Sequence, residues 1–308
     1  MKRKLLLEKL LLRRLLLLSL FAVSVFAGCG KDGGVDTVIP PTTQEPGDDL
    51  TGVAKQLAEA KWDVKEVSDA VVWKYFHFNN LFSSNQSITV FEIDLNKEIE
   101  VDIPYVKSGF LKTSEAANNT RATVAINGSY FNTSTGGSTV FFRKDGEIIK
   151  TTNSGFNPYR EEAGFAIDNA GKISVVKRPA GGWPVVFTQT LLASGPLLVY
   201  GGEAVKQLDV VFNTARHPRT AVGVTKDNRL IAVVVDGRAT QAHGMTTTEL
   251  SEVMYALGCK EAMNLDGGGS STAWVKNRGV VNYPTDNGKF DHEGERGVAN
   301  AIVFVPKD

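Results

Sequence analysis

Asp266 heads three glycines, Gly267, Gly268 and Gly269, and then two hydroxyls, Ser270 and Ser271, in the stretch NLDGGGSSTAW. Glycines adopt left-handed backbone at little steric cost and let a ligand approach the main chain closely. Successive amides in such a turn can form an anion-binding nest, to which the serine hydroxyls add donors. A carboxylate beside that nest could activate water or hold a sugar hydroxyl. A wide hairpin with a solvated acid is the plainer alternative, and it does not require three glycines in a row.

A second group of charged residues lies upstream. HPRTAVGV and IAVVVDGR read as two strands joined by a turn at Lys226 to Asn228, which would bring Arg219 near Asp236 and Arg238. Guanidiniums present planar forks of donors and suit a phosphate, while carboxylates suit its sugar. The same residues could instead pair with one another structurally. In a third stretch, ATVAINGSYFN, Asn127-Gly128 is a strong hairpin signal, and Tyr130 and Phe131 could wall the apolar face of a sugar. Arg296 and Asn300 are expected to make buried structural hydrogen bonds. His217 and His243 lack metal-ligand spacing and are expected in polar loops.

These residues need rigid elements to position them. In GMTTTELSEVMYALGC, Thr246 and Glu249 form a capping-box pattern. Leu250, Val253, Met254 and Leu257 share one helical face, and Gly258 ends the helix. EAMNLD then reads as a strand that delivers Asp266 to its end. β-branched runs from about Ser87 onward, with turn signals at Asp145-Gly146 and around Gly171, give an α+β class. The architecture expected is one large mixed, mostly antiparallel twisted sheet with a few packed helices. Leu50 to Ala60 is a short helix candidate, followed by an aromatic stretch containing Trp62, Trp73, Tyr75, Phe76 and Phe78.

The N-terminus reads as an export signal. Six basic residues and one acidic residue fall in the first 28, leading into the 13-residue apolar run LLLLSLFAVSVFA, too short for a comfortable membrane span. Ala27 and Gly28 precede Cys29 as in a bacterial lipobox, with Phe26 where leucine is usual, so Cys29 is expected to carry lipid. The expected organisation is a signal peptide over 1–28, a flexible tether over 29–49 and a subgroup-specific helix and strands over 50–86. A catalytic domain follows over 87–308. Localisation is then the bacterial cell envelope, outside the cytoplasm, with the lipid as the only membrane contact. Of 34 basic and 34 acidic residues, 28 and 33 remain beyond residue 28, a balance that argues against nucleic acid as a partner. Cys259, the other cysteine, is expected to be buried and inert.

Taken together, AINGSYF, HPRTAVGV, VVDGR, GMTTTELSEVMYALGCKEAMNLDGGGSSTAWV and RGVANAI resemble the phosphodiester glycosidase family, in matching order from about Ser87 to Val305. The resemblance implies an enzyme that cleaves between a sugar's anomeric carbon and a phosphodiester oxygen. It also implies that Asn127, Arg219, Asp236, Arg238, Asp266 and the glycine–serine turn line the cleft. No nucleotide-binding glycine pattern is present and no cofactor is called for. A calcium ion on Asp side chains is left open, with no pattern that demands it. Asp266 is assigned the catalytic role because the glycine turn allows the closest substrate approach, with Asp236 as the competing base or nucleophile. Two rival functions stand beside this: a non-catalytic module that binds sugar phosphates, and a phosphoesterase that cuts the P–O bond.

Overall fold

The computed structural model describes residues 50–307. The signal peptide, lipidated Cys29 and tether expected from the sequence lie outside the described residues. The strands, in chain order, are β1 (Asp63–Ser68), β2 (Val71–Leu81), β3 (Ser84–Asp94), β4 (Ile99–Asp102), β5 (Val124–Asn127), β6 (Phe142–Lys144), β7 (Glu147–Lys150), β8 (Ala163–Ile167), β9 (Ile173–Lys177), β10 (Thr190–Ser194), β11 (Leu197–Tyr200), β12 (Glu203–Ala204), β13 (Arg219–Thr225), β14 (Arg229–Val235), β15 (Cys259–Asn264), β16 (Ala273–Val275), β17 (Gly279–Val280) and β18 (Ala301–Pro306). Instead of one large sheet they form three. The largest has eight strands in the order β1-β2-β3-β14-β13-β15-β11-β12, and two five-stranded sheets run β7-β6-β10-β8-β9 and β17-β16-β5-β18-β4. Every strand pairing within them is antiparallel.

Strand periodicity explains why the eight-stranded sheet sits at the centre. Along β14, Leu230, Ala232 and Val234 enter one hydrophobic core, and Ile231, Val233 and Val235 enter another. Both faces are therefore apolar, which is why IAVVV reads as an unbroken run rather than an alternating one. One face meets residues of the two smaller sheets, among them Phe142, Phe165, Ile126 and Phe304. The other is covered by the helices Gly52–Glu59 and Thr247–Ala256, through Leu57, Leu250, Val253 and Met254. Each such side chain, fully buried, contributes about 1.5–3 kcal/mol. The longer helix starts at the expected box: the Thr246 hydroxyl accepts from the Glu249 amide at 3.1 Å, and the Thr246 amide donates to the Glu249 carboxylate at 2.8 Å.

Asn127-Gly128 is not a hairpin. β5 lies between β16 and β18, and the Gly128 amide continues the β18 side by donating to the Asn300 carbonyl. The tertiary ladder overrides the local turn preference. β1 and β2, from the N-terminal stretch, extend the eight-stranded sheet through β3, which pairs with β14 from Val235↔Ile88 to Arg229↔Asp94.

Candidate active site

The register brings three chemistry-bearing strand ends to one place. Arg219, at the start of β13, pairs with Val235, so Asp236 emerges beside it. Ala221 pairs with Asn264, so β15 ends two residues before Asp266 on the same side. Asn127 locks this junction from a different sheet. Its Oδ1 accepts from Thr220 Oγ1 at 2.7 Å and the Thr272 amide at 3.1 Å, while its Nδ2 donates to the Asp266 carbonyl at 2.8 Å. Asn127 is completely buried and braces the backbone of Asp266.

Asp266 is half-buried, and Oδ1 accepts from the Gly267 amide at 2.9 Å. Burial raises its carboxyl above the usual range, opposed by the Ser270 hydroxyl, the Gly267 amide and the Arg160 and Arg296 guanidiniums. The turn that follows is tighter than an open anion nest, because Gly268–Ser270 forms one 3-10 turn. The amides of Gly267, Gly268, Ser270 and Ser271 are all engaged within the protein. The hydroxyls are less tightly held: Ser270 and Ser271 are both buried, Ser270 Oγ facing the Asp266 carboxylate without a close hydrogen bond and Ser271 Oγ lacking a protein partner. Gly268 adopts φ +66°, and a Cβ there would come within 3.0 Å of Arg238 Nη2, so glycine lets this guanidinium lie on the turn. At Gly269 a Cβ would fall 2.6 Å from Arg296 Nη2.

Asp236 is the more deeply buried carboxylate. Its Oδ1 accepts from Asn282 Nδ2 and the Tyr283 amide, both at 2.9 Å, and Oδ2 is buried without a protein partner. Burial pushes its pKa up to about 7 despite those two bonds. Asn282 also donates to the Ser271 carbonyl at 3.0 Å, so one side chain ties Asp236 to the glycine–serine turn. Asp236 therefore folds as a neutral acid below about pH 7, whereas its unperturbed value is 3.8. The folded state binds the extra proton between those values, so its stability contribution declines as pH rises through that window. Against Asp236→Asn, the wild-type protein should lose on the order of a few kcal/mol between the ends of the window. Urea denaturation across pH measures this, and parallel curves for the two proteins would contradict it.

The arginines differ in role. Arg219 is 1% exposed, donating through Nε to the Met245 carbonyl at 2.9 Å and through Nη2 to Phe212 and Ala215 carbonyls at 2.7 and 3.0 Å. Much of its donor capacity thus anchors a loop, and burial draws its pKa down to about 10, which keeps it charged at neutral pH. Arg238 is exposed with φ +61°. Sequence reasoning missed Arg160, whose guanidinium carbon sits 4.1 Å from the Tyr130 ring centre, 4.6 Å from Phe212 and 5.4 Å from Phe156. None of Arg160, Arg219 and Arg238 has a carboxylate ion-pair partner among the described residues. The structural Asp–Arg pairing considered for the Asp236 stretch is therefore not formed. Guanidiniums without a carboxylate partner are chemically suited to an anion.

Other expectations need correcting. Tyr130 is 2% exposed, its hydroxyl donates to the Gly195 carbonyl at 2.5 Å, and Arg160 covers its ring, so it is not an open aromatic wall. Phe131 packs on Val298 and Ala299. Arg296 is not buried: it pairs with Asp286 over Gly269. Asn300 is fully buried and accepts from the Ser129 amide at 2.8 Å, as expected. His243 bonds Ser84 Oγ through Nδ1 at 2.7 Å, and burial lowers the His217 pKa, helped by Arg219 and Arg238. Burial raises the Cys259 thiol. Among the described residues no three His, Cys, Asp or Glu side chains converge as a metal site.

The model of the phosphodiester glycosidase family matches residues 120–305, more than half of the chain. The chain belongs to that family. Asn127, Asp236, Asp266 and all three unpaired arginines fall within the family match, while β1 to β4 precede it. Among curated relatives, the SPbeta prophage-derived uncharacterized protein YomE of Bacillus subtilis is 30% identical over 106 residues, 28% of this chain and 16% of that protein. The N-acetylglucosamine-1-phosphodiester alpha-N-acetylglucosaminidase of Bos taurus is 39% identical over 69 residues, 22% of this chain and 13% of that enzyme. The chain thus spans less than a fifth of the length of these relatives. Among solved structures, the zebrafish catalytic domain of that enzyme, auto-inhibited by its pro-peptide, superimposes with a TM-score of 0.60 at 23% identity. The match covers 77% of this chain and 84% of that one, and shows a shared fold. A hypothetical protein from Synechocystis gives 0.59 at 15% identity, covering 80% and 64%.

Proposed function

We propose that the protein hydrolyses the glycosidic bond of a sugar-1-phosphodiester, releasing free sugar and a phosphomonoester, on a glycan outside the cytoplasm. The observation that carries this reading is the placement of guanidiniums without carboxylate partners around a glycine–serine turn that starts at the Asp266 carboxylate and is tied by Asn282, through the Ser271 carbonyl, to the Asp236 carboxylate. Family membership supports the same chemistry.

A phosphodiester is the anion of a strong acid and leaves readily, so proton donation to it matters less than in ordinary glycoside hydrolysis. What the site must supply is electrostatic stabilisation of the departing phosphate and a water or nucleophile at the anomeric carbon. Arg238, Arg160, Ser270 and Ser271 would hold the phosphate, with Arg219 fixing the loop beneath it and adding positive charge. Asp266 would act at the anomeric carbon as base or nucleophile. In the net reaction the C–O bond to phosphate breaks, a water oxygen bonds to the anomeric carbon, and one water proton is released. Asp236, neutral below about pH 7, would donate from Oδ2 to a sugar oxygen.

Product analysis on a panel of sugar-1-phosphodiesters tests the reading. Free sugar with an intact phosphomonoester is expected. Sugar-1-phosphate would instead identify a phosphoesterase, and binding without any product would identify a non-catalytic module.

A further inference from the structure

Tyr75 comes from β2, outside the residues that match the family, and from the aromatic stretch to which the sequence alone gave no role. The fold carries it to the Asp236 side of the site. β2 pairs with β3, placing Tyr75 opposite Thr89, and the Asp236 amide donates to the Ser87 carbonyl on the same β3 at 3.0 Å. The Tyr75 ring lies 6.3 Å from that of Tyr283 at an interplanar angle of 52°, and the Tyr283 amide is one of the two donors to Asp236 Oδ1. Tyr283 is itself held flat, stacked on Phe290 at 4.2 Å and against His292 at 4.4 Å. Two inclined rings thus meet near Asp236, whose Oδ2 is buried and has no protein partner.

The Tyr75 side chain is half-buried, and its hydroxyl reaches Ser87 Oγ at 3.4 Å, long for an O–H···O bond, which is ordinarily about 2.7–2.8 Å. The Tyr283 hydroxyl is its other polar neighbour, so no short hydrogen bond to the protein holds the Tyr75 hydroxyl. Burial and the nearby Tyr283 and Asp236 push its pKa up to about 12, so it remains a neutral donor and acceptor. An aromatic ring with a polar tip, next to a buried oxygen able to exchange a hydrogen bond, suits a ligand with an apolar C–H face and hydroxyls at its rim. A pyranose has that form, whereas a phosphate does not, and the guanidiniums gather around the Asp266 turn.

Resting on the sugar-1-phosphodiester reading, we propose that Tyr75 and Tyr283 form the subsite for the sugar ring, and that the Tyr75 hydroxyl selects among sugars by bonding one ring hydroxyl. The N-terminal strands thereby contribute specificity to a site whose carboxylates and guanidiniums belong to the shared domain.

The test is steady-state kinetics of wild type and Tyr75→Phe on two substrate series. The first holds a methyl phosphodiester leaving group constant and varies one sugar hydroxyl at a time. The second holds the best sugar constant and varies the aglycone. Tyr75→Phe should raise KM for the best sugar about fivefold, the loss of one neutral hydrogen bond, while kcat stays within about twofold. Discrimination against the sugar lacking the bonded hydroxyl should shrink by the same factor, and aglycone preference should not move. Tyr283→Ala should weaken all sugars in the first series, through loss of the packing face. An unchanged sugar preference in Tyr75→Phe would overturn the proposal. So would an equal loss on every substrate accompanied by a lower melting temperature, the mark of a structural role. Wild-type protein that turns over no member of either series would overturn the phosphodiester reading itself, and this proposal with it.

Discussion

Asp266→Asn should lower turnover of a sugar-1-phosphodiester about a thousandfold or more while leaving the fold intact. General base or nucleophilic assistance at the anomeric carbon is worth factors of this size, and an amide supplies neither. The structural consequence should be small. Asparagine keeps an oxygen where Asp266 Oδ1 accepts from the Gly267 amide, and Asn127 bonds the backbone carbonyl rather than the side chain. The variant should even be slightly more stable at neutral pH, because burial holds the native carboxyl in an unfavourable environment. Inactive protein with an unchanged or raised melting temperature is the expected combination. Turnover within tenfold of wild type would move the catalytic assignment to Asp236.

Asn127→Ala should have the largest effect on stability. The truncation strands the Thr220 hydroxyl and the Thr272 amide, each of which points at Asn127 Oδ1 from a fully buried residue. The Asp266 carbonyl loses its Asn127 donor at the same time. Each buried polar group left unpaired costs about 1–3 kcal/mol, so a total of about 3–5 kcal/mol is expected. For a domain of this size that corresponds to a fall in melting temperature of about 10 °C. Turnover should drop too, because the backbone carrying Asp266 loses its tie to β5. Thermal unfolding and kinetics measure both effects. A shift below about 2 °C would show that Asn127 is not the bracket between the two sheets.

The parts of the site that are contiguous in sequence were legible from it. Asp266 with its glycines and serines, and Asp236 with Arg238, each announce themselves by residue types within a few positions, and the strand-end register then brings them together. The helix from Thr247 to Ala256 was equally readable, because its capping box and apolar stripe are local signals. What escaped depends on tertiary placement. Arg160 ends a short 3-10 turn in a loop with no motif, and only packing lays it across Tyr130, Phe156 and Phe212. Asn282 and Tyr283 follow β17 in an ordinary polar loop, yet they supply both donors to Asp236. Family resemblance puts Asn127 in the cleft, whereas its local sequence reads as a turn; its role as a bracket needs two flanking strands that arrive from residues 273–275 and 301–306. The amides of the glycine turn also read as free donors, until the 3-10 geometry and the neighbouring strand engaged them.

The central claim is that the bond broken joins the sugar carbon to oxygen, not phosphorus to oxygen. The most direct measurement is hydrolysis of a sugar-1-phosphodiester in water enriched in heavy oxygen, with both products analysed by mass spectrometry immediately after a short incubation. Label is expected in the sugar's anomeric hydroxyl, with unlabelled phosphomonoester. Label in the phosphate, with unlabelled sugar, would contradict it.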